Sequence, residues 1–149
     1  MILSKYFKKQ KAFIVKEELI KEIEKIKQSF STIYILGSWY ANMSLYIKLA
    51  SNIKSKKIIN VDTNEEFLSV GQQLLKLAGQ DSNVQSMLKD ANKLNYSQLG
   101  NNGLVINTSL TSIEDDNWFN SIPAGTLVAL QARNHDSNIN YSNTNDILR

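Results

Sequence analysis

The sequence predicts a single three-layer α/β sandwich, a mostly parallel sheet of about five strands flanked by helices. Two observations predict it. Short apolar runs of strand length alternate with segments whose apolar residues recur at three- and four-residue steps, which implies crossover connections and a parallel sheet. The run Ile33, Tyr34, Ile35, Leu36 and the run Leu104, Val105, Ile106 are apolar without alternation, as expected of strands covered on both faces. A chain of 149 residues favours one domain and is long enough to bury a core of its own.

In chain order, residues 16–30 read as a helix, with Leu19, Ile20, Ile23, Ile26 and Phe30 on one face and charges opposite, ended by Ser31 and Thr32. Residues 33–36 form the first strand, closed by Gly37. Asn42 is placed as the N-cap of a helix over 43–53, in which Leu45, Leu49 and Ile53 share a face. Residues 54–57 read as a polar turn, and 58–61 as a second strand ending at Asp62. Asn64 caps a third helix, with Glu65 and Glu66 in its first turn, where the helix dipole favours acids, and Gly79 beyond its end. A third strand is placed over 83–88 and a fourth over 103–107. A short helical segment over 118–122 is stopped near Pro123, and a fifth strand spans 126–132. The domain of residues 1–149 divides into a basic helical arm (1–30), the core (31–136) and a polar, Asn-rich tail (137–149).

Composition narrows the function classes. There is no cysteine, so disulfides and thiolate metal sites are excluded. With one histidine and scattered carboxylates, no metal site is expected. No stretch approaches the ~18 apolar residues of a membrane span, and no signal peptide is read at the start. The net charge of +3 is uneven, since residues 1–30 alone carry +4. Such an arm suits nucleic acid or an anionic surface. Glu17, Glu18, Glu22 and Glu24 interleave with its lysines, which makes a solvated amphipathic helix the simpler reading.

In an open parallel sheet, ligands bind at the carboxyl ends of the strands. The first strand ends in Leu36-Gly37-Ser38-Trp39-Tyr40-Ala41-Asn42, a tight turn running into a helix N-terminus with unpaired N–H groups. Asp62 ends the second strand, twenty-five residues after Gly37, where an acid can accept from both hydroxyls of a ribose. Turn and acid together point to a nucleoside-type ligand. Asp90-Ala91 follows the third strand, and Asn107-Thr108-Ser109 ends the fourth. His135, in Arg133-Asn134-His135-Asp136, follows the fifth strand and reads as a surface residue. Asp115-Asp116 reads as a solvated stretch before Trp118.

The ordered set of Gly37, Asp62, Asp90 and Asn107, each at a strand end, resembles the class I S-adenosylmethionine (SAM) dependent methyltransferases, over about residues 30–135. The resemblance implies a Rossmann-like fold and SAM as cofactor. Gly37 matches the first glycine of that family's Gly-x-Gly-x-Gly turn, while Trp39 and Ala41 stand at the other two. It implies that Asp62, followed by Thr63, holds the ribose, that Gly37 and Ser38 hold the amino-acid end, and that Asp90 and Ala91 meet the adenine. Trp39 and Tyr40 either plug the gap between sheet and helix or face the cofactor. Asn107 stands where the family orients the methyl acceptor and is the candidate catalytic residue. The Pro-Pro-aromatic that follows this position in amino-methylating members is absent, and the acceptor is not specified.

The chain is similar to short phage-type methyltransferase-like proteins, which implies the cytoplasm, that of the host if phage-encoded. Alternatives are a protein that cleaves or sequesters SAM and a non-catalytic binding module on a degenerate methyltransferase fold. The seventeen residues after Ala132 leave little room for the family's C-terminal strand pair. The fifth strand is therefore expected to be an edge, in a protein that self-associates or is the product of a truncated gene.

Overall fold

The computed structural model describes residues 11–110, 113 and 116–131, with only the backbone of 11–15. The elements run α1 (Lys11–Ile26), β1 (Ser29–Leu36), α2 (Asn42–Ala50), β2 (Lys54–Asp62), α3 (Glu65–Leu77), β3 (Val84–Leu88), a 3-10 turn (Ala91–Lys93), β4 (Gly103–Asn107), α4 (Asn117–Asn120) and β5 (Leu127–Leu130). The five strands form one sheet in the order β3-β2-β1-β4-β5, and every pairing is parallel. The chain builds outward from β1 to β3, then returns to place β4 on the other side of β1. The switch point therefore lies between β1 and β4, where Leu36 pairs with both Val61 and Asn107.

The two faces are covered differently. On one, Ile33 and Ile35 of β1, Ile58 of β2 and Leu104 and Ile106 of β4 pack against α1, α2 and α3 through Ile20, Ile23, Ile47 and Leu75. On the other, Tyr34, Leu36, Val61, Val105 and Leu130 meet the 3-10 turn, Tyr96 and Trp118. That second face is closed by irregular chain and the single turn α4. Strand alternation sends successive residues to opposite faces, so both sets are apolar and the strands read as continuous runs. Two polar residues in the first core satisfy each other, since Ser44 Oγ of α2 donates to Asn60 Oδ1 of β2. Gly71 of α3 lets that helix close onto the turn after β1, because a Cβ there would stand 3.0 Å from Ala41 Cβ and from the Tyr40 carbonyl carbon.

The structure corrects four local expectations. The first helix stops at Ile26, and Phe30, Ser31 and Thr32 belong to β1. Phe30 fits either period because both bury it, at 3% exposure. Residues 54–57 are the start of β2, pairing with Ser29 to Thr32 beyond the reach of the core, so their side chains stay solvated. Asn42 is the first residue of α2, and its N-cap is Ala41, in the left-handed region without a side-chain cap. The final helical segment is shorter than 118–122 and starts one residue earlier. The cap of α3 is as expected, with Asn64 Oδ1 accepting from Phe67 N–H at 3.0 Å. Residues 1–10 of the arm, Asp115, the Arg133-Asn134-His135-Asp136 stretch and the 137–149 tail lie outside the described residues.

Among the described residues, the second core holds the titration displaced furthest from its ordinary range. Tyr96 is 1% exposed, donates its hydroxyl to the Ala91 carbonyl at 2.6 Å and meets Tyr34 edge-on. Burial pushes the Tyr96 hydroxyl well above its usual range, with smaller pushes from Tyr34 and Asp90, and burial raises Tyr34 as well. The stability gained by keeping these hydroxyls neutral is complete below the ordinary tyrosine value of 10.0. It falls as pH rises above that value, because the unfolded chain then releases protons that the folded chain keeps, at about 1.4 kcal/mol per pH unit for each such tyrosine. Urea titrations near pH 8 should show Tyr96→Phe less stable by about 1–2 kcal/mol, from the carbonyl left without its donor. Above about pH 10 the variant should lose stability with a shallower slope than the parent. An identical slope would refute the assignment of this titration to Tyr96.

Candidate functional site

The turn from β1 into α2 has an unusual backbone. Gly37 (φ 62°), Trp39 (φ 49°) and Ala41 (φ 63°) all lie in the left-handed region. These are the three alternate positions of the glycine turn noted in the sequence, and two are occupied by residues for which the conformation costs about 1–2 kcal/mol each. Strain of that kind persists only where surroundings over-determine it, and it concentrates at functional turns. Here the surroundings are specific. Ser38 N–H donates to the Val61 carbonyl at 3.0 Å, and Ala41 N–H to the Ser38 carbonyl at 3.0 Å. Trp39 N–H donates to Asp62 Oδ2 at 3.0 Å. Ser109 Oγ, from the end of β4, donates to the Gly37 carbonyl at 3.1 Å.

Asp62 is thus bound into the turn, with Oδ1 accepting from Asn64 N–H at 2.9 Å. The half-buried carboxylate keeps lone pairs on both oxygens for further donors. Thr63 beside it is exposed. The structure brings Gly37, Ser38, Trp39, Asp62 and Asn107 together at the ends of β1, β2 and β4.

Asn107 is fully buried. Its Oδ1 accepts from Ser109 N–H at 2.8 Å, which fixes the amide so that Nδ2 is the free end. That Nδ2 and the Oγ of Ser38 are buried polar atoms without a hydrogen-bond partner. A buried donor left unpaired costs about 1–3 kcal/mol, and Thr126 Oγ1, just before β5, is in the same condition.

Trp39 and Tyr40 turn toward α3. The Trp39 ring lies 5.4 Å from Phe67 and nearly parallel to it, and Tyr40 meets Phe67 edge-on at 4.9 Å. Trp39 is 47% exposed, so it forms an outer wall on the helix side of the turn.

Asp90 sits one strand further out. Its Oδ1 accepts from Asn92 N–H at 2.9 Å, capping the 3-10 turn. Ala91 is a core residue whose carbonyl is taken by Tyr96. Asn92 in turn accepts from Trp118 N–H at 2.9 Å, tying α4 to this corner. Sequence reasoning quoted Ser109 with the end of β4 but gave it no role, and missed Phe67 and Asn92. Of these, only Ser109 carried a signal, as a small polar residue two places after Asn107. No group of three or more His, Cys, Asp or Glu placed to hold a metal occurs among the described residues, and no helix among them is long and apolar enough to cross a membrane.

No family model matches the sequence, and no curated protein matches it either. Solved structures do match by fold. A Methanococcus maripaludis protein assigned as a SAM-dependent methyltransferase superposes with a TM-score of 0.62 at 15% identity, over 80% of this chain and 56% of that one. A SAM-dependent methyltransferase from Geobacter sulfurreducens, solved with S-adenosylhomocysteine (SAH), gives 0.57 at 13% identity, over 76% and 47%. The [4+2]-cyclase SpnF gives 0.59 at 13% identity, over 76% and 43%. The chain spans about half the length of these proteins. Its five-stranded parallel sheet, order β3-β2-β1-β4-β5, has the Rossmann-like fold of the class I SAM-dependent methyltransferases.

Proposed function

We propose that the chain binds SAM across the carboxyl ends of β1, β2 and β4 and transfers its methyl group to an acceptor. The observation that carries this is the bond from Trp39 N–H to Asp62 Oδ2, which makes the left-handed turn and the acid one preformed unit. Asp62 accepts the ribose hydroxyls with the lone pairs that Trp39 and Asn64 leave free. Gly37 and Ser38 hold the amino-acid end, where Ser38 Oγ has no other partner. Asp90 and Ala91, with Thr63 at the end of β2, border the adenine side. Trp39 and Tyr40 form the wall on the α3 side. The bound cofactor supplies an electrophilic methyl group on a sulfonium. The residues of this chain supply position, and Asn107 offers its free Nδ2–H to orient the acceptor. No described side chain at the strand ends is placed as a general base, so the acceptor brings its own nucleophilicity.

Calorimetric titration with SAH, SAM and NAD tests the reading. Micromolar binding of the first two without NAD is the expected result, and binding of NAD alone would overturn it. A second reading, SAM binding without methyl transfer, is favoured by one detail. Asn107 is fully buried and its Oδ1 already accepts from Ser109 N–H, which leaves an amine substrate one lone pair behind closed packing. Incubation with labelled SAM alone identifies the cleaving form of this reading, because only a SAM-cleaving protein consumes it without an acceptor.

A further inference from the structure

Among the described residues, no strand pairs with the outer edge of β3. Ile58 N–H reaches the Asn83 carbonyl and Lys89 N–H the Asp62 carbonyl, so the odd-numbered residues of this stretch face β2. Parallel pairing then turns the backbone N–H and C=O of Ser86 and Leu88 outward. Gln85, Ser86 and Leu88 are exposed, Leu88 at 53%. Beside this edge runs a groove of about 770 Å³, between α3 and β3. Its helix wall is a polar ridge, Glu65, Ser69, Gln72 and Lys76, at helical spacing. Glu65 and Lys76 stand at opposite ends of that ridge, and neither makes an ion pair among the described residues.

We infer that β3 is the dimer edge, pairing antiparallel with β3 of a second copy about a twofold axis midway between Ser86 and its counterpart. Two geometric facts carry this. An axis perpendicular to the sheet sets Ser86 opposite Ser86 of the second copy and Leu88 against its Val84. Because α3 runs opposite to β3, the same axis sets Glu65 against Lys76 of the second copy, and Lys76 against its Glu65. The surface is therefore self-complementary in charge, as an isologous contact requires. Second, α3 packs on both β2 and β3, so its axis lies over the gap between them. Its twofold image lies two strand spacings away, roughly 9.6 Å. That is within the 8–10 Å at which two helices pack. The second α3 fills the groove, with Gln72 and Ser69 meeting across the axis, and the two sheets become one of ten strands.

The contact is polar, so the dimer is salt-sensitive. Sedimentation velocity of the full chain from about 5 to 200 µM should show a concentration-dependent dimer. Ser86→Pro removes an outward N–H that β2 does not use and should give a folded monomer, checked by circular dichroism. Glu65→Lys and Lys76→Glu should each weaken the dimer about tenfold, by turning two attractions into repulsions. The double variant Glu65→Lys/Lys76→Glu should restore it. A monomer throughout the concentration range would overturn the inference, as would a dimer indifferent to Ser86→Pro or charge swaps that add without rescue.

Discussion

Asp62→Ala is expected to weaken SAH binding by at least about a hundredfold, the loss of two hydrogen bonds to a charged acceptor at about 1.5 kcal/mol each. The same change removes the acceptor of Trp39 N–H and Asn64 N–H, so it should also lower stability by about 1–2 kcal/mol. The two consequences are separable. Asp62→Asn keeps one oxygen for a backbone donor but presents an NH2 group to the other, and it cannot accept from both ribose hydroxyls. If Asp62 is a ligand residue, Asn at this position recovers part of the stability and little of the affinity. If it only braces the turn, affinity follows stability in both variants, and melting temperature and calorimetry move together. Affinity unchanged in Asp62→Ala would remove this residue from the site and leave the turn without its ribose acceptor.

What the sequence made legible follows from how local each cause is. The α3 cap depends on Asn64 and a residue three places on, and the strand ends at Asp62 and Asn107 are visible where an apolar run stops at a polar side chain. The start of β2 was hidden because Lys54, Ser55, Lys56 and Lys57 lie in a strand that outruns its core, where solvated side chains carry no apolar signal. The cap of α2 was hidden for a different reason. Trp39 and Ala41 take the left-handed conformation without being glycine, held by bonds accepted by Ser38 in the turn and by Asp62 and Val61 at the end of β2. A glycine count at positions 39 and 41 finds Trp and Ala, yet both take the positive φ that glycine adopts readily. The Trp39–Phe67 stack and the Ser109–Gly37 bond join residues far apart in sequence, the latter by 72 positions, and no local pattern encodes such a pairing.

That last bond makes Gly37 the most sensitive position in the turn. A Cβ on Gly37 would stand 2.6 Å from both Cβ and Oγ of Ser109, and its φ of +62° disfavours any side chain. Gly37→Ala therefore combines left-handed strain of about 1–2 kcal/mol with an overlap whose relief costs about 1–3 kcal/mol more. The overlap cannot be relieved cheaply. Ser109 is 8% exposed and its N–H holds Asn107 Oδ1, so displacing it breaks the contact that fixes the buried amide at the β1–β4 switch point. Chemical denaturation should show a loss of about 3 kcal/mol, with SAH affinity falling in the fraction that stays folded. Adding Ser109→Gly removes the colliding side chain and leaves the backbone strain. The double variant should regain about 1–2 kcal/mol over Gly37→Ala although Ser109→Gly alone destabilises, a coupling of opposite sign to simple addition. A double variant no more stable than additivity allows would place the whole cost in the backbone and show that β4 yields to the turn. Coupling of the expected sign would show the two strand ends locked side chain to backbone, the rigidity that a turn of three left-handed residues needs before any ligand arrives.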